Sequence, residues 1–377
     1  MKGIEFYHYD DRGYKKLFHY NSWRIAVLNY IEELEPENIN YMECHNLTDE
    51  VFVLLEGEAV IYVLEDEKIV GYKLRKNEIC NIKKGVYHTH VLSKDAKLLI
   101  IEEESTSYDN SSRIYIKDEQ KKQIKTIWEN RNKYKLVWED DFNIDGPVNP
   151  KIWNVEHAGT GFGNNEDQYY TPREKNLYCK DSILHIVAHQ ENYKHRKYTS
   201  AKITSYGKKS IGYGMVEVKA KLPKGKGTWP AIWMLAESIR NGVRWPLCGE
   251  IDIMENIGRN HEEVHFSLHS KLYNHVIKTQ QTYFETIPGV TERFSVYKMI
   301  WEPNYIKFFV DDKEYVTFTK GEDNRDTTKL GWPFEPPYFL ILNLAIGGNW
   351  GGEIDDSIFP QELLIDYVKV YERIDRE

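Results

Sequence analysis

The sequence has little of what marks a membrane, secreted or disulfide-bonded protein. Its 377 residues include no run of eighteen apolar residues, so no transmembrane helix is expected. The first residues are polar and aromatic, without the apolar segment of a secretory signal. Taken as the native start, they predict a cytoplasmic protein, although a secreted chain whose signal had been removed would look the same. The four cysteines are widely spaced and form no CxxC pair, which indicates reduced thiols.

An excess of positive charge is also missing. The formal net charge of −9 argues against a general nucleic-acid binder, which would need a basic surface. Aromatic residues are instead abundant, with 27 Tyr and 10 Trp. Their flat apolar faces and polar edges suit pyranose rings, although β-rich cores favour aromatic residues as well.

The length and the strand patterns predict two β-rich domains. Short strand-like runs divided by turn signals occupy residues 20–104, within a first domain of 1–115. A polar linker and a short amphipathic helix follow at 116–133. Regular short strands then continue over 134–377, which indicates one β-sandwich or jelly roll. The predicted fold class is therefore all-β.

The most informative segment is CGEIDIMEN, residues 248–256. Alternate residues of a strand share a face, so Glu250 and Asp252 should project one way while the isoleucines pack the other way. Strict alternation would turn Glu255 toward the apolar side, where a lone carboxylate is costly. A one-residue β-bulge near Met254 would return Glu255 to the face of the other two acids.

Three acids on one face would raise at least one pKa, and retaining glycoside hydrolysis needs an ionised carboxylate beside a protonated one. We assign Glu250 as the nucleophile and Glu255 as the general acid/base. Asp252 would hydrogen-bond the nucleophile. The spacing alone fits a solvated acidic strand edge or a metal site equally well.

Neighbouring segments place further polar and aromatic residues on shared faces. In VHFSLH the alternate residues His265, Ser267 and His269 share one face. In TWPAIWML the residues Trp229, Ala231 and Trp233 share one face. If these strands adjoin the acidic one, acids, imidazoles and indoles would line one cleft. Trp350 lies in the loop sequence GGNWGG, and loops at sheet ends often carry function.

At these residues the sequence resembles the family-16 glycoside hydrolases, in the branch of bacterial laminarinases and β-1,3(4)-glucanases. The matching segments occur in family order: LVWEDDF (136–142), GNNEDQYYT (163–171), KLPKGKGTWPAIWML (221–235), WPLCGEIDIMENIG (245–258), LILNLAIGGNWGG (340–352) and LLIDYVKVY (363–371). The resemblance implies a concanavalin-like jelly roll that hydrolyses β-glucan by an endo-acting, retaining mechanism without a cofactor.

The resemblance also implies particular site residues. Along the glucan site it places the following: Asn164, Trp229, Trp233, His269 and Trp350. It implies a structural Ca²⁺ held by Asp141, Asp366 and a backbone carbonyl near Ser182, since oxygen ligands suit that cation. Lys219 stands where the family often has Arg, and because lysine lacks the bidentate fork we expect an effect on glucan binding in the minus subsites.

The N-terminal block has a different pattern, with His45, Glu50 and His88 near glycine turns. It resembles the small β-barrels called cupins, although Glu43 stands where their first histidine usually lies. Two imidazoles and one or two carboxylates could hold Zn²⁺, Mn²⁺ or Fe²⁺. The alternative is a barrel without a metal that serves in homodimerisation or sugar binding.

Other functions remain in competition. HEEVH (261–265) matches a zinc-protease pattern, but on a strand His261 and His265 would lie about 13 Å apart at ~3.3 Å per residue, too far for one zinc ion. A non-catalytic glucan-binding protein would usually lack one of the acids. A transglycosylase would pass the sugar to a second sugar instead of to water. The cupin-like barrel could also be the main enzyme, for example a sugar isomerase.

Overall fold

The computed structural model describes residues 3–374 apart from residues 66 and 108. The chain divides into two compact units, one ending at Lys133 and the other beginning at Tyr134. No helix among the described residues is long and apolar enough to cross a membrane. All four cysteines are free thiols.

The first unit contains two five-stranded antiparallel sheets. Its strands in the described part of the chain are β1 Gly13–Tyr20, β2 Trp23–Asn29, β3 Tyr41–His45, β4 Glu50–Glu56, β5 Ala59–Glu65, β6 Lys68–Lys73, β7 Ile79–Ile82, β8 His88–Leu92, β9 Lys97–Glu103 and β10 Ser111–Tyr115. One sheet has the order β1-β2-β9-β4-β7 and the other the order β10-β3-β8-β5-β6. This agrees with the alternating apolar pattern of the sequence.

Two apolar clusters hold the first unit together. One lies between the sheets, where Phe52 and Leu98 of the first sheet meet Ile61 of the second. The other lies on the far side of the second sheet, beneath helix α1 (Asp118–Asn130). Ile124 of α1 is fully buried in this cluster. The predicted short helix therefore packs on the sheet as part of the first unit.

The second unit is a sandwich of a ten-stranded and a seven-stranded sheet. Its strands, as far as the structure describes them, are β11 Tyr134–Asp140, β12 Asn154–Val155, β13 Gln168–Tyr170, β14 Leu177–Lys180, β15 Ile183–Tyr193, β16 Arg196–Ser200, β17 Lys202–Thr204, β18 Gly214–Lys221, β19 Thr228–Ala236, β20 Glu250–Asn256, β21 Glu263–His269, β22 Gln281–Thr286, β23 Ser295–Glu302, β24 Tyr305–Val310, β25 Lys313–Thr319, β26 Tyr338–Ile346 and β27 Gln361–Arg373. A one-turn helix, α2 (Gly348–Gly351), follows β26.

The order of the seven-stranded sheet decides which side chains can meet. It runs β12-β17-β26-β19-β20-β21-β22, so the acidic strand β20 lies between β19 and β21. The ten-stranded sheet has the order β13-β16-β15-β27-β18-β23-β24-β25, with β11 and β14 paired to β27 and β15. One large apolar cluster fills the space between the sheets, including Ile251, Ile253 and Met254 of β20.

The predicted irregularity in β20 is confirmed. On the β19 side, Asp252 pairs with Trp233 and Met254 pairs with Ile232, which leaves Ile253 as the extra residue. The register toward β21 also shifts between Asp252 and Glu255. Ile253 and Met254 are both fully buried, so the bulge lets two consecutive apolar side chains enter the core. The next residue, Glu255, then faces outward again.

Candidate active site

Three neighbouring strands bring the predicted residues together on the outer face of the seven-stranded sheet. Their pairing forms three rows across β19, β20 and β21: Ala231, Glu255 and His265; Trp233, Asp252 and Ser267; and Leu235, Glu250 and His269. Residues paired in this way lie side by side on one face. The sequence patterns thus named the neighbours on β21 correctly, and on β19 they named Ala231 and Trp233 but not Leu235.

The acids Glu250 and Asp252 lie close to His269. One carboxylate oxygen of each acid and a ring nitrogen of His269 are all within 4.8 Å of one another. The Nε2 atom of His269 is 3.2 Å from Asp252 Oδ2 and 3.7 Å from Glu250 Oε1. Asp252 and His269 are buried and Glu250 is half-buried, so the group is recessed although it faces outward.

Burial raises the pKa values of all three carboxyl groups, and the charge of Asp252 adds to the rise at both glutamates. Burial, with the charge of Asp252, raises the pKa of Glu250 to about 8. The same two causes raise the pKa of Glu255 to about 8, and burial raises that of Asp252 well above its usual value. At neutral pH the trio therefore retains protons, which supplies the acid form that proton donation requires.

Indole side chains flank this recess on the side of Glu255. The Nε1 atom of Trp229 donates a hydrogen bond of 3.0 Å to Glu255 Oε1. The ring of Trp229 meets that of Trp350 edge-on, with 5.4 Å between the centroids. Trp233, in the next row, donates from Nε1 to Asn343 Oδ1 at 2.7 Å. All three indoles are only half-buried, so they present ring surface to a ligand.

The loop that carries Trp350 is anchored to the loop of Asn164. The backbone N–H of Asn349 donates to the carbonyl of Asn164 at 2.7 Å. Gly347 has a φ of 67°, and a Cβ there would lie 2.1 Å from Asp167 Oδ2, so only glycine fits. The predicted residues Asn164 and Trp350 thus belong to one connected rim.

The structure adds functional candidates that the sequence patterns did not identify. Lys202 of β17 lies in the same row across the sheet as Glu255. Lys202 pairs with Asn343 of β26, Asn343 pairs with Ala231 of β19, and Ala231 pairs with Glu255. Its Nζ atom is 4.9 Å from the centroid of Trp233. The lysine comes from YTSAKITS, in which no apolar alternation or spacing distinguishes it. Only the strand order, with β17 two strands from β19, places it near the acids.

Buried carboxylate and amide groups support the same wall. Glu166 accepts hydrogen bonds from Gln168 Nε2 at 2.6 Å and from the Tyr170 hydroxyl at 3.2 Å. Burial raises the pKa of Glu166, while the charge of Lys202 acts in the opposite direction. These residues follow Asn164 in the segment GNNEDQYY, so a search of that segment for alternate polar residues could have found them.

A second aromatic wall stands on the side of Glu250. The ring centroid of Trp245 is 5.0 Å from that of His275 and 6.2 Å from that of His269. His275 belongs to the segment after β21, where Val276 and Ile277 are also exposed.

Both carboxylates that the resemblance assigns to calcium have other partners in this structure, and the calcium site stays a prediction. The Asp366 carboxylate is ion-paired with Lys219, with 2.7 Å between Oδ2 and Nζ. The Asp141 carboxylate accepts a hydrogen bond of 2.9 Å from the Asn143 side chain. The Lys219 ammonium group would compete with Ca²⁺ for the Asp366 carboxylate. Ser182 precedes β15 and has a φ of 60°.

The expected role of Lys219 is wrong. Lys219 lies on β18 in the ten-stranded sheet, where Val218 and Ala220 point into the core. Its side chain therefore projects from the outer face of that sheet, while Glu250 projects from the outer face of the other sheet. The whole thickness of the sandwich separates Lys219 from the recess, so it cannot contact a sugar bound there.

In the first unit, the three predicted cupin residues converge. Both His45 Nε2 and His88 Nε2 contact Glu50 Oε2, at 2.9 and 2.8 Å. Their other ring nitrogens are held by Ser111 Oγ and by the carbonyl of Val86, at 2.9 and 3.0 Å. Despite burial, the two imidazoles lower the pKa of Glu50 to about 2. In metal-binding sites, a hydrogen bond at the other ring nitrogen commonly orients each histidine ligand. The two histidines and Glu50 therefore fit a divalent metal ion.

The side chain of Glu43 is hydrogen-bonded to Arg113. Its carboxylate accepts a hydrogen bond of 2.8 Å from Arg113 Nε. His90, which the sequence analysis did not single out, lies near the group, and both of its ring nitrogens are buried without a hydrogen-bond partner. Burial lowers the pKa of His90 to about 4, so the ring is neutral at physiological pH.

The zinc-protease pattern does not form a metal site in the described structure. His265 lies on strand β21, and its Nε2 atom contacts Glu263 Oε1 at 2.8 Å. His261 is exposed beyond a short 3₁₀ turn. The two histidines therefore do not lie one turn apart on a helix, which this zinc-binding pattern requires.

Recessed paired carboxyl groups, here on one outer face of a two-sheet sandwich, are the catalytic groups of most enzymes that cleave glycosidic bonds. The family description Glycosyl hydrolases family 16 matches residues 164–369 of the chain. The chain belongs to this family. The matched residues all lie in the second unit.

The relatives agree on this family. A beta-glucanase from Rhodothermus marinus is 43% identical over 243 residues, which cover 63% of this chain and 85% of the relative. The X-ray structure of the laminarinase from Rhodothermus marinus superposes with a TM-score of 0.62 at 42% identity, covering 64% of this chain and 98% of that chain. A family GH16 non-specific endo-beta-1,3(4)-glucanase with an oligosaccharide at its active site superposes at 0.60 and 38% identity, covering 64% and 95%.

Proposed function

We propose that this chain is a retaining, endo-acting glycoside hydrolase that cleaves β-1,3-glucan, mixed-linkage β-1,3/1,4-glucan or oligosaccharides derived from them. The observation that carries the proposal is the bulge in β20, which brings Glu250, Asp252 and Glu255 to one recessed face. The named activities of the similar proteins support the substrate class. Two carboxyl groups perform this reaction without a cofactor.

In the first step, Glu250 attacks the anomeric carbon while Glu255 gives its proton to the leaving oxygen. The bond between the sugars breaks, and a sugar ester forms on Glu250. Burial raises the pKa of Asp252 well above its usual value, and in its protonated form this residue can donate a hydrogen bond to the Glu250 carboxylate. In the second step, Glu255 takes a proton from water, and the water oxygen displaces Glu250 from the sugar.

Substitution of the two glutamates tests these roles separately. Glu250→Gln should abolish turnover of laminarin and lichenan while binding of the glucan survives. Glu255→Ala should slow natural substrates by about 10²- to 10⁴-fold, the usual contribution of general acid catalysis. The same variant should partly spare activated aryl glycosides, whose leaving groups need little protonation. Reducing-sugar release and aryl release are the measurements, and a Glu250→Gln variant with the wild-type rate contradicts the assignment.

We also infer that the first unit is a cupin-like barrel that holds a divalent metal ion through His45, Glu50 and His88. The proposal rests on the convergence of three buried donors whose outer contacts fix their orientation. Two imidazoles and one carboxylate suit Zn²⁺, Mn²⁺ or Fe²⁺. The bound ion would replace the contacts that Glu50 now makes with both rings.

Metal titration of the full chain tests the second proposal. Calorimetry with Zn²⁺ or Mn²⁺ should show one site in the wild type, and His88→Ala should weaken it by at least about 10-fold. Glu43→Gln is the matched control, because Glu43 is paired with Arg113 and not with the three ligands. Equal loss in both variants, or no binding by the wild type, contradicts the proposal.

A further inference from the structure

A continuous file of aromatic rings leads from Glu255 to the edge of the seven-stranded sheet. Trp229, which donates to Glu255, meets the Trp350 ring edge-on, and Trp350 meets the His265 ring at 4.8 Å between centroids. His265 in turn stacks on Phe284, with centroids 5.2 Å apart and planes inclined by 29°. Strand pairing supports the same order, since Glu255 lies opposite His265 and His265 lies opposite Phe284.

Phe284 is the exposed end of this file. It lies on the edge strand β22 with 55% of its surface exposed, whereas the residue before it, Tyr283, faces inward and packs against the core. The neighbours of Phe284 on the same face, Thr282 and Thr286, are small, exposed and polar. A large ring between hydroxyl groups offers an apolar face to a sugar ring and hydrogen-bonding groups to its edges.

The stacking partner of Phe284 is held in place. His265 Nε2 contacts Glu263 Oε1 at 2.8 Å, which fixes the orientation of the imidazole. Burial lowers the pKa of His265, so the ring is neutral under ordinary conditions. The two rings therefore form a stable, uncharged surface. Side chains that are already held in place lose little conformational entropy when a ligand binds, so a modest contact with this surface can contribute measurably to affinity.

We propose that Phe284, supported by His265, forms a sugar-binding subsite for the leaving-group side of a β-glucan chain. The inference rests on the proposed hydrolase function and extends it to one further glucose unit. Glu255 is the proton donor to the leaving oxygen, and the ring file begins at Glu255. Lys202 lies in the opposite direction along the sheet from β20, on β17 beyond β19 and β26.

The comparison of two substrate types tests this assignment. Phe284→Ala should lower kcat/KM for long β-1,3-gluco-oligosaccharides about tenfold, the size expected for one lost aromatic contact. It should leave kcat/KM unchanged for an activated aryl glycoside of a short β-1,3-glucan, which has no sugar on the leaving-group side. Phe284→Trp should keep the oligosaccharide rate. Phe309→Ala, on the outward face of the ten-stranded sheet, is the matched control and should change neither rate.

The other outcomes overturn the inference in distinguishable ways. An equal loss on both substrates would mean that Phe284 supports the fold or the opposite side of the site. Unchanged rates on both, in an active enzyme, would mean that the ring binds no sugar or serves a contact between copies of the chain. A wild-type enzyme inactive on both substrates would instead contradict the proposed hydrolase function itself, and this subsite with it.

Discussion

Lys202 is the positive charge that acts on Glu250 from across the sheet. Its ammonium group lies 4.8 Å from the centroid of Phe162 and 4.9 Å from that of Trp233. Burial lowers the pKa of Lys202, while the charges of Glu166, Glu156 and Glu250 act against that shift. In return, Lys202 adds to the larger effect of His269, and both charges hold the pKa of Glu250 below the value that burial, Asp252 and Glu255 would otherwise give it. The ionised form of the nucleophile depends partly on this charge.

Replacing Lys202 by Met should therefore change the pH dependence of hydrolysis. Without the charge, the pKa of Glu250 rises further, so less of the carboxylate is ionised at low pH. The acidic limb of kcat/KM should move to higher pH, and the rate on that limb should fall about three- to tenfold, while the rate at alkaline pH is largely kept.

Lys202→Arg is the matched control, because it keeps the charge and should keep the limb in place. The measurement is a full pH profile on an activated aryl glycoside. If Lys202→Met lowers the rate equally at every pH, the lysine acts on shape or binding, and the electrostatic role is wrong.

Strand β20 shows how one local irregularity decides which residues can react. With regular pairing, Glu250 and Glu255 would face opposite sides of the sheet, because five positions separate them. The bulge at Ile253 adds one residue on the β20 side and restores the common face. The bulge interrupts the regular backbone pairing between the strands. The burial of Ile253 and Met254 together in the apolar core offsets that loss.

Helix α1 is the corresponding element of the first unit. It covers the outer face of the second sheet, and the Tyr62 hydroxyl donates to the carbonyl of Ile124 at 3.2 Å. Met42, Val60 and Ile69 complete the apolar contact around Ile124. The helix is thus a structural part of the first unit although its sequence is rich in charged residues.

Truncation of Ile124 should destabilise the first unit without affecting hydrolysis. Ile124→Ala removes a fully buried side chain and should cost about 2–4 kcal/mol of the free energy of unfolding of that unit. Thermal or urea unfolding followed by circular dichroism measures the change. Thr126→Ala, exposed on the same helix, should cost well under 1 kcal/mol. Similar losses in both variants would mean that the helix is only a linker.

At the scale of the whole molecule, the two units carry separate chemistry. The glucan recess lies entirely on one sheet of the second unit, and the His45, Glu50 and His88 group lies inside the first. The acidic net charge is shared by both units. On the far sheet of the second unit, the Lys219 and Asp366 ion pair occupies the carboxylate that the family resemblance had assigned to calcium.

Much of the fold and the main acids could be predicted because they depend on local patterns. Alternation of apolar residues indicated the strands, and the conflict between alternation and the position of Glu255 indicated the bulge. The faces of VHFSLH and TWPAIWML followed from the same period of two. The cupin-like character of the first domain and the roles of the individual acids stay predictions.

The sequence by itself determined which side chains of each strand face the core and which face outward, because that depends only on residues two positions apart. Tertiary structure alone decided which strands are neighbours, since pairing joins segments distant in sequence. The strand order brought Lys202 and Phe284 into line with Glu255 and placed Lys219 on the opposite sheet. No local pattern carries that information, so these residues could be assigned only from the folded chain.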